Sequence, residues 1–463
     1  MQNRTEDKFS GKDEYVMRVD ISQICFALEQ LAEKYMPLLA SASDAVWEFH
    51  EPAYEERRSC TLLKEILEQH GFTVSVPCEE LPTAFQASFG NSGPVIGLLG
   101  EYDALVGLCQ EADEPGQKYP DGAGPDTPGH GCGHNLLGTG LLGAALFLKE
   151  LLEQYHLPGT IVYFGCPAEE NASGKSKMIQ NGFFQGIDAA FSWHPHAQAG
   201  IFNQSLANQR VVYTFHGTSA HASQAPHLGR SALDACELMN IGVNYLREHM
   251  IDEARIHYAY LDAGGNLPNI VPSHAQLLYA IRAPKGSQAQ ALRERTDRIA
   301  QGAALMTDTS VEVKTKCVYD SMLKNSTLDS LILKYMDVFL PLHYSEEELA
   351  YAKKFLTFGN EPDNEISICS SPDFASVRKT GISTDVGNVS QILPCSAFMV
   401  NCYANGSPLH HWTVTAQGKS SIAHKGMMAA SKILAASIWE IFENPGILEN
   451  AKQDFIQEKK KSV

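Results

Sequence analysis

Residues 128–148 read PGHGCGHNLLGTGLLGAALFL, and this stretch organises the chain. His130, Cys132 and His134 alternate with glycines directly before an apolar, small-residue run with the character of a buried helix. Three candidate metal ligands therefore stand at a helix N-terminus, where glycine spacers permit tight turns and the helix end favours a thiolate over a thiol. The segment can hold a cation or activate sulfur. Alone, it is equally a glycine-rich turn with solvated histidines and a structural cysteine.

Outward from it, the same kind of cluster recurs. Upstream, the buried run Pro94–Leu99 ends in Gly100-Glu101-Tyr102-Asp103, so an acid follows a strand; Asp103 could orient a metal-bound histidine or cap the next turn. Downstream, Ile161–Phe164 leads to Pro167-Ala168-Glu169-Glu170, two adjacent carboxylates that are costly to place together without a counter-charge. Ala189–Trp193 leads to His194-Pro195-His196, and Ala397–Cys402 leads to Gly406-Ser407-Pro408-Leu409-His410-His411. Each cluster has a plain explanation as a solvated turn. Their repetition past the carboxyl ends of buried strands, where open α/β sheets place their sites, predicts one metal centre.

The rest of the chain sets the frame. Ile21–Leu39 and Ala45–His70 carry helical periodicity, Phe72–Pro77 reads as a strand, and Cys109–Gly129 as a long surface loop. From Arg210 the order is strand (Val211–Phe215), helix (Ser231–His249), strands (Ile256–Leu261, Ala275–Arg282), helix (Gln288–Met306) and strand (Val311–Lys316). This βαββαβ order is that of a ferredoxin-like unit inserted into a larger α/β domain. The predicted organisation is a catalytic domain in two segments, 1–207 and 323–463, with the insert at 208–322 between them. Helices are expected over Leu328–Leu340 and Glu346–Phe355, a loop over Asp363–Ser371, and a closing helix over Ser420–Phe442.

Composition narrows the function. With 463 residues, two or more compact units are expected. A formal net charge of -18 argues against nucleic acid or an anionic membrane as partner; the one basic run, Lys459–Lys461, reads as a solvated C-terminus. No stretch has the length of a membrane span, Leu136–Leu148 being short and glycine-rich. The opening residues lack a signal-peptide core, and eleven scattered cysteines without a CxxC pair indicate a reducing compartment, so a cytoplasmic location is expected. There is no GxxxxGKS loop, GxSxG elbow or GxGxxG turn between a strand and a helix, which leaves hydrolysis ahead of phosphoryl or hydride transfer. Thiolate, imidazole and carboxylate donors suit one or two divalent metals. In the acidic doublet one Glu can bind metal while the other moves a proton from water to a leaving amine.

The strings GHGCGHNLLGTG, CPAEEN, WHP, TSAHAS followed by PHLGRSALDA, PNIVP, and GSPLHHW followed by SIAHKGM resemble the M20 metallopeptidase family, in its amidohydrolase branch, over about Asp44–Phe442. The resemblance implies a mixed-sheet metallo-exopeptidase-like catalytic domain with an inserted ferredoxin-like α+β lid and dimerisation domain. It implies Cys132, His134, Glu170, His194 and His410 as metal ligands, Glu169 as general base and Asp103 as the acid behind a ligand. His221 would reach the partner's active site to stabilise the oxyanion, Asn269 and Arg282 would contact a substrate carboxylate, and Arg230 would assist. The implied reaction is hydrolysis of the amide of an N-acyl or N-aroyl amino acid, p-aminobenzoyl-glutamate foremost, by a homodimer through the insert or a heteromer with a paralogous chain. A dipeptidase or deacylase with the same site, and a non-catalytic subunit, are the alternatives; Cys132 as a redox nucleophile is a weaker third.

Three features depart from the commoner pattern. Asn135 stands where an acid follows the histidine, Glu101 stands where most members carry a ligating histidine, and His411 adjoins His410. His410 is favoured because it follows Pro-Leu. Zinc suits a thiolate and manganese is associated with the branch, so the metal stays open between them.

Overall fold

The run after Gly133 forms the helix His134–Tyr155, buried from its first residue through Leu148, at the centre of the larger domain. It packs against helices Ser421–Glu443 and Ile21–Phe49 and against the sheet beneath. Its small residues let these neighbours approach closely; at Gly140 a Cβ would run into the Trp193 indole. In the computed structural model, which describes residues 20–202, 204–356 and 382–462, the chain builds two sheets.

The first sheet has seven strands: β1 (Thr73–Ser75), β2 (Phe85–Phe89), β3 (Val95–Glu101), β4 (Thr160–Cys166), β5 (Ala189–His196), β6 (Gly200–Phe202) and, later in the chain, Cys395–Asn401. The second has four: β7 (Ala207–His216), β8 (Arg255–Asp262), β9 (His274–Ala283) and β10 (Ser310–Tyr319), which makes Cys395–Asn401 β11. The orders are β1-β2-β4-β3-β5-β11-β6 and β10-β7-β9-β8. In the large sheet β4, β3, β5 and β11 run parallel, while β1, β2 and β6 are antiparallel additions at the two edges. Alternation along the parallel strands divides the core: Ile96, Leu98, Phe191 and Phe398 face the three long helices, and Leu99, Ala190 and Ala397 face the Met178, Phe183 and Val389 side. The fold is α/β, with a mixed seven-stranded sheet and a separate antiparallel four-stranded domain.

In that second domain, Val211, Tyr213 and Phe215 of β7 and Leu277, Tyr279 and Ile281 of β9 bury against helices Ala232–Leu246 and Gly286–Thr307. The intervening residues point the other way. Asn208 and Arg210 of β7 and Arg282 of β9 therefore share the opposite face, Asn208 pairing with Arg282 in register.

Several expectations change. The predicted helix Ala45–His70 is two elements, because His50 turns into the left-handed region (φ 37°) and Pro52 follows; the first helix runs unbroken from Ile21 to Phe49 through Pro37, and a second covers Arg57–Gln69. Strands β2 and β6 are not legible in the sequence because their short runs carry polar residues or glycine. Lys459–Lys461 belong to a helix, Gly446–Ser462, on which Lys459 Nζ donates to the Gln391 carbonyl at 2.8 Å, so this run is not a free tail. His134–Tyr155 meets the length and hydropathy of a membrane span, contrary to expectation, but 89% of its apolar window is buried in the protein. The predicted loop Asp363–Ser371 lies outside the described residues.

Candidate active site

The carboxyl ends of β3, β4 and β5 and the turn after β11 converge on the N-terminus of helix His134–Tyr155, and each contributes a chemically active side chain. Gly133 caps that helix in the left-handed region (φ 81°), where a Cβ would run into Tyr403 Oη. This turn brings Cys132 and His134 into one ligand group, while His130 turns away and donates Nε2–H to the Val46 carbonyl (3.0 Å). Ala168 (φ 59°) and His410 (φ 59°) are two further left-handed residues, and such strain gathers where a backbone must aim side chains. The His410 N–H donates to the Gly131 carbonyl (2.8 Å), which locks the late turn onto the early one.

Three groups of ligand atoms form, each with all its atoms within 4.8 Å of one another: Cys132, His134 and His194; Cys132, Glu170 and His410; and Glu101, His134 and Glu169. Cys132 Sγ lies 3.4 Å from His194 Nε2, whose ring is fixed by its Nδ1–H donating to Pro195 O (2.8 Å). His134 donates Nδ1–H to Asp103 Oδ1 (2.9 Å) and points Nε2 at Glu101 Oε2 (3.3 Å). The other Asp103 oxygen accepts the Glu170 N–H (3.0 Å), so one buried acid orients two members of the cluster. His410 Nε2 lies 3.3 Å from Glu170 Oε2. His411 is used elsewhere: its Nδ1 faces Thr413 Oγ1 (2.9 Å) and it caps helix Trp412–Gln417.

This donor set fits one or two divalent cations. Glu170 Oε1 is buried without a hydrogen-bond partner among the described residues, an expense a protein bears when something else meets that lone pair. A sulfur, imidazoles and carboxylates together suit a borderline metal.

Electrostatics distinguish the two glutamates of the doublet. Burial, reinforced by Glu101, Glu170 and Asp385, drives the Glu169 carboxyl well above the usual range. Burial acts on Glu170 too, but the His410 hydrogen bond and His134 outweigh it and bring it to about 2. Burial lowers His194 to about 4 and raises the Cys132 thiol, which Glu170 raises further. Beneath the cluster lies a fully buried Lys175, its Nζ 2.5 Å from both Glu101 Oε1 and Asp385 Oδ1. Burial favours the neutral amine, yet Asp385 and Glu101 overcome it and keep Lys175 charged. Burial likewise opposes ionised Glu101, and Lys175 with His134 holds it low. The triad is not legible in the sequence because nothing local marks a lysine as buried. Lys175→Met strands two buried carboxylates, and the expected cost is about 3–5 kcal/mol, seen as a fall in thermal midpoint. Adding Asp385→Asn should recover part of it; additive losses in the double variant would count against the triad as a unit.

The cluster opens into a cavity of about 320 Å³. Cys132, Glu169, Glu170, His194 and His410 line it together with Asn208, Arg210 and Arg282 of the four-stranded domain. Trp193, Phe202, Met399 and Leu409 supply apolar wall. Of the four insert residues singled out in the sequence, Arg282 alone reaches this cavity. His221 and Asn269 are exposed on the four-stranded domain, tied together by the Ala222 N–H to the Asn269 carbonyl (2.9 Å). Arg230 is partly exposed, outside the cavity lining, and pairs its Nε with Asp308 Oδ2 (2.7 Å).

The chain resembles known proteins both in sequence and in fold. The profile described as peptidase family M20/M25/M40 matches residues 100–328. A p-aminobenzoyl-glutamate hydrolase chain of Escherichia coli, one of the two kinds of subunit named for that enzyme, is 41% identical, covering 93% of this chain and 94% of that one. The Xaa-Arg dipeptidase of Mus musculus is 29% identical, over 92% of this chain and 90% of that one. Among solved structures, a dinuclear-metal-binding M20 peptidase of Bacillus subtilis superposes with a TM-score of 0.57 at 18% identity, over 89% of this chain and 99% of that one. Near-full-length identity at the level of the Escherichia coli relative, with a shared fold, makes this chain a hydrolase of the M20 family of peptidases and amidohydrolases.

Proposed function

We propose that the protein is a metal-dependent amidohydrolase that cleaves an N-aroyl or N-acyl amino acid, with p-aminobenzoyl-glutamate as the substrate. The observation that carries the reading is one cavity lined by members of the ligand clusters, the Glu169-Glu170 doublet and a pair of arginines, in a chain 41% identical to a p-aminobenzoyl-glutamate hydrolase chain. Cys132, His134, His194, Glu170 and His410 are the side chains that would hold the metal, zinc or manganese. When bound, a divalent cation there supplies Lewis acidity toward the amide carbonyl and makes water easier to deprotonate. Glu169 takes a proton from the attacking water as its oxygen bonds to the carbonyl carbon, then delivers that proton to the departing nitrogen as the C–N bond breaks. The products are the acid and amine halves, with no other reactant consumed. Asp103 keeps the His134 ring aligned throughout. Arg282 faces the amino acid's carboxylate, and Trp193, Phe202 and Met399 pack the apolar portion.

His221 and Asn269 act on the active site of a second protomer, an identical copy or a paralogue; their exposure on the four-stranded domain supports this. Ten free cysteines among the described residues support residence in the reducing cytoplasm. A dipeptidase reading draws on the Xaa-Arg dipeptidase likeness, but two arginines in the cavity disfavour a cationic side chain there.

The test is hydrolysis of p-aminobenzoyl-glutamate by purified protein of measured metal content, before and after chelation. Turnover should fall to background when chelator removes the metal and return on resupply of zinc or manganese. Metal-replete protein that leaves this substrate intact while cleaving another acyl amino acid would overturn the substrate assignment, and turnover indifferent to chelation would overturn the metal mechanism.

A further inference from the structure

Arg210 carries no mark in the sequence that sets it apart, yet it occupies the same cavity as Arg282. The two guanidinium groups come from adjacent strands of one sheet face: Arg282 stands opposite Asn208, and Arg210 is two residues along β7 from Asn208. Diagonal neighbours of this kind have Cα atoms about 7–8 Å apart, close enough for both arginines to serve one small guest. Arg210 Nη1 donates to two neutral oxygens, the Glu170 carbonyl (2.9 Å) and Asn171 Oδ1 (3.4 Å), and its guanidinium lies over the Tyr319 ring. Among the described residues no carboxylate forms an ion pair with it. Burial lowers the Arg282 guanidinium's proton affinity and Arg210 lowers it further, so the pair is a desolvated concentration of positive charge. Between them, Asn208 is 1% exposed and its Oδ1 has no hydrogen-bond partner among the described residues. A buried amide oxygen of this sort calls for a guest that brings an N–H as well as anionic oxygens.

We infer that Arg210 is a specificity-determining residue that receives a second carboxylate, so that with Arg282 it selects amino-acid halves carrying two carboxylates over isosteres carrying one. The inference rests on the proposed reading of the cavity as the amino-acid subsite. It adds the residue that would read the side chain. Guanidinium groups bind carboxylates through two parallel hydrogen bonds, and a neutral amide of the same shape satisfies only part of that fork. Discrimination by a charged, partly buried pair is about 10- to 100-fold.

The experiment is calorimetric titration of the metal-loaded protein with L-glutamate and with L-glutamine, which need no turnover. Wild type is expected to bind glutamate about 10- to 100-fold more tightly. Arg210→Met should bring the two affinities within a few-fold of each other by weakening glutamate alone, and Arg210→Lys should restore part of the preference. Equal affinity of wild type for the two ligands, or no binding of either, would overturn the inference, as would an Arg210→Met variant that keeps the preference. A merely structural Arg210, holding the Glu170 backbone, would instead lower metal content and weaken both ligands in parallel. Failure to hydrolyse p-aminobenzoyl-glutamate would leave this measurement intact and speak only to the aroyl half of the substrate.

Discussion

Glu169→Gln is expected to lower turnover of p-aminobenzoyl-glutamate by roughly 10²- to 10⁴-fold with metal content unchanged. The amide keeps the shape of the side chain and the backbone contact in which Tyr319 Oη donates to the Glu169 carbonyl (2.9 Å), but it cannot carry a proton from water to nitrogen. The surrounding acids make the sign of a second effect predictable. Burial foremost, and then Glu101, Glu170 and Asp385, raise the proton affinity of Glu169, so a residue there that is never charged removes a cost of folding, and the metal-free variant should melt no lower than wild type. Elemental analysis separates the two assignments within the doublet. Loss of metal with loss of activity would make Glu169 a ligand, as its membership of the Glu101–His134–Glu169 group allows; retention of both would remove it from the chemistry. Glu170→Gln should do the reverse and deplete the metal, since its side chain sits in the Cys132 and His410 group.

The asymmetry between what can and cannot be read from sequence has a physical basis. Cys132 and His134 are legible because their chemistry and their turn are local: a glycine at each alternate position, and a helix beginning at once. The insert is legible because its strand and helix runs follow one another at short range, and burial alternates strictly along β9. Glu101 stands out only as a departure from a pattern. Its meaning comes from Lys175 and Asp385, 74 residues from the first and with Lys175 a further 210 from the second, and no local signal marks residues so distant as an ion-paired unit. Arg210 and Asn208 lie on the polar face of β7, where alternation predicts solvent; only the packing of the two domains turns that face into a cavity wall. Helix ends mislead for a related reason, since Pro37 continues a helix and His50 ends one.

His221→Ala is expected to lower turnover by about 10²- to 10³-fold, the range for removing one donor to a developing oxyanion, while metal content and melting stay as in wild type. His221 accepts at Nδ1 from the Gln224 N–H (3.2 Å), which places the proton of the neutral ring on Nε2, the tautomer a donor to an oxyanion needs. It is exposed and absent from the cavity of its own chain, so its effect requires a second protomer, and mixing makes that requirement measurable. In a homodimer in which each active site combines its own Glu169 with the other chain's His221, a mixed dimer of Glu169→Gln and His221→Ala chains holds one site with both residues intact and one with neither. Statistical exchange of equal amounts should then restore about a quarter of wild-type activity from two inactive proteins. No recovery despite proven exchange would place His221 outside the neighbouring active site of an identical chain, and recovery only with a paralogous chain added would identify the partner as that paralogue.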